Sequence, residues 1–154
     1  MWQSKTQVKK GDTGEKIVKE YFDKLGYIVY QPVNEGAHWI DMICLKDKKK
    51  AIAVEVKTKA RFNKWAAQGI DIKNYKEYLK FIDKINFEFW LIFVDDKNGD
   101  VHALNILNKN YFYPNKYLIA WRLEEMNYLF NIGEQNINKL SQYDTRNYKF
   151  LPIN

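Results

Sequence analysis

Residues 40–57 constrain this chain more than any other stretch. Ile40-Asp41-Met42-Ile43-Cys44-Leu45 reads as a buried strand, Lys46-Asp47-Lys48-Lys49-Lys50 as a charged turn, and Ala51-Ile52-Ala53-Val54-Glu55-Val56-Lys57 as the returning strand. Side chains alternate faces along a strand, so Ile52, Val54 and Val56 point one way and Glu55, Lys57 and Lys59 the other. The hairpin carries Asp41, at the start of one strand, close to Glu55, near the end of its partner. Two carboxylates and an amine then gather on a sheet whose other face is apolar. Charges beside a core are costly unless paired or bound to metal. Two acids are a ligand set for a hard cation such as Mg2+, with water and phosphate oxygens completing the shell. A lysine beside them can position and polarise water, and the set suits hydrolysis of a phosphodiester. The plainer alternative makes Asp41 a strand-end turn residue and Glu55 with Lys57 a surface ion pair.

Ile40-Asp41, a hairpin turn and then Glu55-Val56-Lys57 resemble the motif of the PD-(D/E)XK nuclease superfamily, and Glu15 on an earlier helix adds to the match. Ile40 stands where that motif usually has proline, which leaves the carboxylate in place. The order helix, strand, Asp strand, Glu-x-Lys strand, helix, strand is similar to that of Holliday junction resolvases of the archaeal and phage type. The resemblance implies an α/β fold with a restriction-endonuclease-like core, a mixed central β-sheet flanked by helices on both sides. It implies a Mg2+-dependent DNA endonuclease, with Mn2+ as a substitute, in which Asp41, Glu55 and Lys57 are catalytic. Asp41, Glu55, the Val56 carbonyl and Glu15 are the metal ligands it implies. Resolving a four-way junction takes two symmetric cuts, hence a homodimer with two sites. An aromatic patch, on the Phe87–Trp90 strand or in the C-terminal third, would serve that dimer. Two further readings stand beside this one. One is another nuclease of the superfamily, of the restriction, repair or RNA-cutting kind; the other is a non-catalytic nucleic-acid-binding module on the same fold.

The other candidate residues carry two readings each. Glu15 follows Asp12-Thr13-Gly14, so it reads either as the first-turn acid of a capping box, three residues after its cap, or as the metal ligand the resemblance implies. Lys57 is either a snorkelling surface lysine or the catalytic amine. Lys59 shares its face one pleat further out and suits a phosphate contact. Arg61, Lys64 and Trp65 mix cations with an aromatic just past the active strand, a combination that holds a sugar-phosphate backbone and stacks on a base. Their alternative is a surface loop with Phe62 and Trp65 folded onto the core. Gln68 reads as a loop amide, or as the water-orienting glutamine of some members of the superfamily. His38, three residues before Asp41, is a candidate phosphate contact or an ordinary loop histidine. His102 lies in a strand without a partner motif.

Composition sets the frame. A chain of 154 residues suits one domain, with residues 1–10 as a basic arm carrying Lys5, Lys9 and Lys10, and 120–154 as a C-terminal extension. The net charge of +6 suits a polyanionic partner. No run of about 18 apolar residues occurs, so no membrane span is expected. The single cysteine, Cys44, in an apolar strand reads as a small core residue, and with no apolar leader in residues 1–12 a cytoplasmic protein is expected. Along the chain, Asp12 is expected to cap a helix with Ile17, Val18, Tyr21, Phe22 and Leu25 as its stripe and Gly26 as its stop. Tyr27–Gln31 reads as a strand and Ala60–Gln68 as irregular. Asp71 opens a helix with Ile72, Tyr75, Leu79 and Ile82 on one face. Phe87–Val94 reads as a central strand returning through Asp95–Asp100 into Val101–Ile106. Tyr117–Leu123 reads as a further strand, and the tail is helical in pattern at Glu134–Tyr143.

Overall fold

A computed structural model describes residues 6–33 and 38–143. Helix α1 runs Thr6–Lys24 and strand β1 Ile28–Tyr30. Gly26 ends the helix in the left-handed region at φ 83°. Its amide donates to Asp23 O and that of Tyr27 to Phe22 O, each at 3.0 Å, and the Tyr27 and Phe22 rings meet edge to face. This Schellman closure satisfies carbonyls that the last turn leaves open. The start of the helix departs from expectation. Asp12 does not cap it, because the helix has already run from Thr6, and Lys10 is buried in an ion pair with Asp96. A tertiary ion pair thus extends the helix past the sequence signal, and Lys9 and Lys10 belong to it rather than to an arm. Lys5 lies outside the described residues.

The expected hairpin follows as β2 (Met42–Leu45) and β3 (Ile52–Thr58), antiparallel, with Met42 opposite Val54 and Cys44 opposite Ile52. Strand β4 (Ala67–Asp71) comes next, and Gln68 therefore sits in a strand rather than in a loop. Helix α2 (Ile72–Ile82) leads to β5 (Glu88–Val94), which pairs parallel with β3 and antiparallel with β6 (Asp100–Asn105). Strands β7 (Tyr111–Asn115), β8 (Leu118–Arg122) and β9 (Asn127–Asn131) and helix α3 (Gly133–Ser141) complete the order.

Six strands form a mixed sheet in the order β1-β2-β3-β5-β6-β9, and three form a second sheet, β4-β8-β7. Helix α1 covers one face of the large sheet, where Ile17, Val18 and Phe22 pack with Val54, Val56 and Ile92, joined by Leu140 of α3. Helix α2 and the small sheet cover the other, where Tyr78 packs with Ala53, Leu91 and Phe93 and with Ile70 and Trp121. Alternation along β3 thus serves two cores, and Glu55 points into a covered face rather than an open one. Three expectations need correction here. Strands β8 and β9 are members of the two sheets, joined by a 3-10 turn at Leu123–Glu125, so the C-terminal part is no extension up to that point, while 144–154 lie outside the described residues. On α2 the buried residue is Tyr78, not Leu79. Strand β5 lies inside the sheet with Phe89 2% exposed, so Phe89 is a core residue and not part of a dimer patch, while Phe87 and Trp90 are half-buried. Cys44 is fully buried, and among the described residues no helix is long and apolar enough to cross a membrane.

Candidate active site

Register brings the two motif acids level. With Met42 opposite Val54, Asp41 comes opposite Glu55. The Asp41 amide donates to Val54 O at 3.0 Å, and its Oδ2 accepts from the Val56 amide at 2.7 Å. Both bonds fix the aspartate at the mouth of the hairpin, where the β2 ladder begins. Glu55 is 8% exposed. Its Oε1 accepts from the Lys57 amine at 2.6 Å and from the Tyr78 hydroxyl at 2.7 Å. A two-residue offset on a strand puts Glu55 and Lys57 on one face, and the pair meets as the alternation requires.

Glu15 reaches the same place from α1. The helix approaches β3 closely at Gly14, where a Cβ would lie 1.8 Å from Oγ1 of Thr58. Without that contact α1 would ride higher on the sheet, and Glu15 with it. The glutamate lies mid-helix with its carboxyl beside that of Asp41, so the capping-box reading fails and its position is a tertiary one.

Three carboxylates from three elements therefore share one partly buried region. Burial first, then the charges of Asp12 and Glu55, raise the Glu15 pKa to about 7. Burial first, then Glu55 and Glu15, raise that of Asp41 to about 8, against the Val56 amide and Lys57. Burial by itself would lower the Lys57 pKa; the Glu55 carboxylate outweighs it and holds the amine above its ordinary value. Lys57 is thus a fixed ammonium. Ionised together, the three acids carry more negative charge than the single ammonium balances, and a divalent cation would relieve it. Among the described residues no three His, Cys, Asp or Glu side chains stand as a finished metal cage. Mg2+ is usually held by one or two carboxylates with water and phosphate making up its octahedron, so an open set built on Asp41 and Glu55 fits it.

The remaining candidates stand apart from this cluster or at its margin. Lys59 follows β3, and burial lowers its pKa against the pull of Asp71, with Lys57 adding to the lowering. The Gln68 side-chain amide donates to Lys59 O at 3.2 Å, and its Oε1 is buried without a hydrogen-bond partner. The Arg61 guanidinium is taken up by Asp95 at 2.7 Å and Asp100 at 2.9 Å, tying the segment after β3 to the β5–β6 turn. Trp65 is half-buried against Phe62 and Phe112, with the Lys64 amine 5.1 Å from its ring centre. His38 is exposed in the segment leading to Asp41. His102 packs edge-on to Tyr128 in β6 and β9.

Two residues of the site escape a reading by motif. Gly14 looks like part of a helix start, and only the sheet beneath it gives it a role. Tyr78 lies beside the expected stripe of Ile72, Tyr75, Leu79 and Ile82 and not on it, so the spacing announces neither its burial nor a hydroxyl aimed at Glu55.

No family model and no curated protein matches the chain by sequence. By structure it is similar to Hjc, a Holliday junction resolvase of the archaeal hyperthermophile Archaeoglobus fulgidus, with a TM-score of 0.56 at 12% identity over 82% of this chain and 95% of that one. Likeness at that identity lies in the path of the backbone and not in shared side chains. The chain has the mixed α/β fold of a resolvase-like nuclease.

Proposed function

We propose that this chain is a Mg2+-dependent DNA endonuclease, selective for branched DNA and acting as a homodimer. One observation carries the reading: Glu15, Asp41 and Glu55 meet beside the Lys57 ammonium at the hairpin of a resolvase-like fold. Asp41 and Glu55, with Glu15 and the Val56 carbonyl, are the groups that would hold the cation. When bound, it supplies Lewis-acid chemistry at a phosphate oxygen. Lys57 donates to the oxygens of the phosphate as negative charge grows there and orients the attacking water. Burial of Glu55 under α2 excludes bulk water from one side, so these donors act in a low dielectric. The surplus of positive charge on the chain supports a polyanion as substrate. Lys59, Lys64, Trp65, Gln68, His38 and Arg61 remain the proposed contacts to it, with Arg61 first having to exchange its two aspartates for phosphate.

Cleavage tests the proposal directly. Four-way junction, linear duplex, single strand and RNA of matched sequence are incubated with and without Mg2+. Cutting of the junction in Mg2+ and in Mn2+, and none in excess chelator, is the expected result. Undiminished cutting in chelator, or no cutting of any DNA, would overturn it. Cutting of RNA alone would move the chain to a different nuclease class.

A further inference from the structure

Tyr78 lies on the inner face of α2, 7% exposed, with its ring packed 5.2 Å from that of Phe89. Its hydroxyl donates to Glu55 Oε1 at 2.7 Å, and the Lys57 amine donates to the same oxygen at 2.6 Å while lying 5.6 Å from the tyrosine ring centre. The two donors are not equivalent. Lys57 sits on a flexible stem, and its amine is the group a phosphate would draw away. Tyr78 has a rigid ring locked by packing on Phe89, so its hydroxyl keeps its place at Glu55 when the amine moves. A glutamate carboxylate turns broadly about its last torsion. Held at Oε1 from a fixed point, it presents Oε2 in a fixed direction. If Lys57 alone held Glu55, the amine could serve the substrate only by releasing the carboxylate.

We propose that Tyr78 is a positioning residue for the site: its hydroxyl anchors Glu55 Oε1, so that Oε2 faces a divalent cation and Lys57 can leave Glu55 for the substrate. The inference rests on the nuclease reading above. Hydrogen bonds that orient a ligating carboxylate typically matter about 10–100-fold in metal affinity or activity.

The test is Mn2+ binding to the full chain without DNA, by calorimetry, for wild type, Tyr78→Phe and Tyr75→Phe. Tyr75 is on the same helix but packs on Trp121, which makes it the control for a simple packing change. Tyr78→Phe is expected to weaken Mn2+ binding about tenfold or more, with the Mn2+ concentration for half-maximal cleavage rising in step and the KM for DNA unchanged. Tyr75→Phe leaves Mn2+ binding as it was. A Tyr78→Phe protein that melts earlier but binds Mn2+ as wild type does overturns the inference and leaves the nuclease reading standing. Wild type that neither binds Mn2+ nor cuts overturns both. Should Tyr78→Phe fail to fold, wild type labelled at tyrosine Cζ carries the test: the Tyr78 resonance, assigned through its backbone, must move with Mg2+ along the binding curve. A resonance unmoved at saturation overturns the inference.

Discussion

Glu55 and Lys57 meet at 2.6 Å on a covered face of β3, and burial decides what each can do. The ammonium is held charged and close, which suits a donor to a growing negative charge and not a base. Asp41→Ala and Glu55→Ala are therefore expected to abolish cleavage while leaving DNA binding, because each removes a proposed metal ligand and also a charge that repels phosphate. Lys57→Ala should cost about 10²–10³ in kcat, and Lys57→Arg should not restore it, since a planar fork does not replace a compact donor. Single-turnover cleavage with parallel binding curves checks all four; a variant that loses binding but keeps its rate on bound DNA refutes the ligand assignment. A second prediction concerns stability. Glu15 and Asp41 have folded-state pKa values of about 7 and about 8, above the ordinary carboxylate range, through burial and then neighbouring acids. Acids raised in this way favour the folded state below their unfolded pKa, and that advantage is lost as pH rises through the folded values. Without divalent cation, the Tm of wild type should thus fall relative to that of Glu15→Gln as pH rises from about 4 to about 8. Mg2+ should restore wild type more at pH 8 than at pH 5, where protons compete. Melting curves of the two proteins that run parallel across this range would contradict the coupling.

Gly14 shows how one element sets another. Helix α1 lies on β3 closely enough that any Cβ at this position collides with Thr58 Oγ1, itself a buried hydroxyl without a hydrogen-bond partner. Alanine is the better helix former by about 1 kcal/mol, yet Gly14→Ala is expected to destabilise by about 1–3 kcal/mol through overpacking. It should also weaken cleavage by lifting Glu15 from Asp41. Adding Thr58→Ala removes the colliding oxygen and should recover part of both losses. Denaturant unfolding and cleavage of the double variant measure this, and an additive loss would refute it. The same contact explains what the sequence could reveal. Strands β2 and β3 are legible because alternation and the charged turn are local, and Gly26 is legible because its cap is local. Strand β4 is hidden by Gln68 and Gly69, which gain burial only by pairing with β8. Strand β9 is hidden by its terminal asparagines and its place at a sheet edge. The true start of α1 is hidden because the Asp96 partner of Lys10 lies far along the chain. Asp41, Glu55 and Lys57 could be placed from spacing. Tyr78 and the tertiary position of Glu15 could not, since both depend on helices packing against opposite faces of one sheet.

At the scale of the whole molecule, a site on one hairpin faces one strand, whereas a four-way junction needs two strands cut symmetrically. The homodimer proposed here supplies the second site. Its interface cannot form by strand pairing along β5, which lies between β3 and β6. The branch selectivity proposed here suits two sheets that no large insertion interrupts in the described residues. Binding should weaken steeply with salt, because phosphates supply most of the contacts. The sharpest consequence concerns mixed dimers. When wild-type subunits are combined with differently tagged Asp41→Ala subunits, the purified heterodimer should nick one strand of a junction and fail to resolve it, while the wild-type homodimer yields paired cuts. Supercoiled cruciform plasmid reports the two outcomes separately, as nicked circle and as linear product. Full linearisation by the heterodimer would mean that one subunit makes both cuts. A wild-type chain that is monomeric at micromolar concentration and cuts linear duplex as readily as junction would leave the carboxylate chemistry intact and remove the branch selectivity.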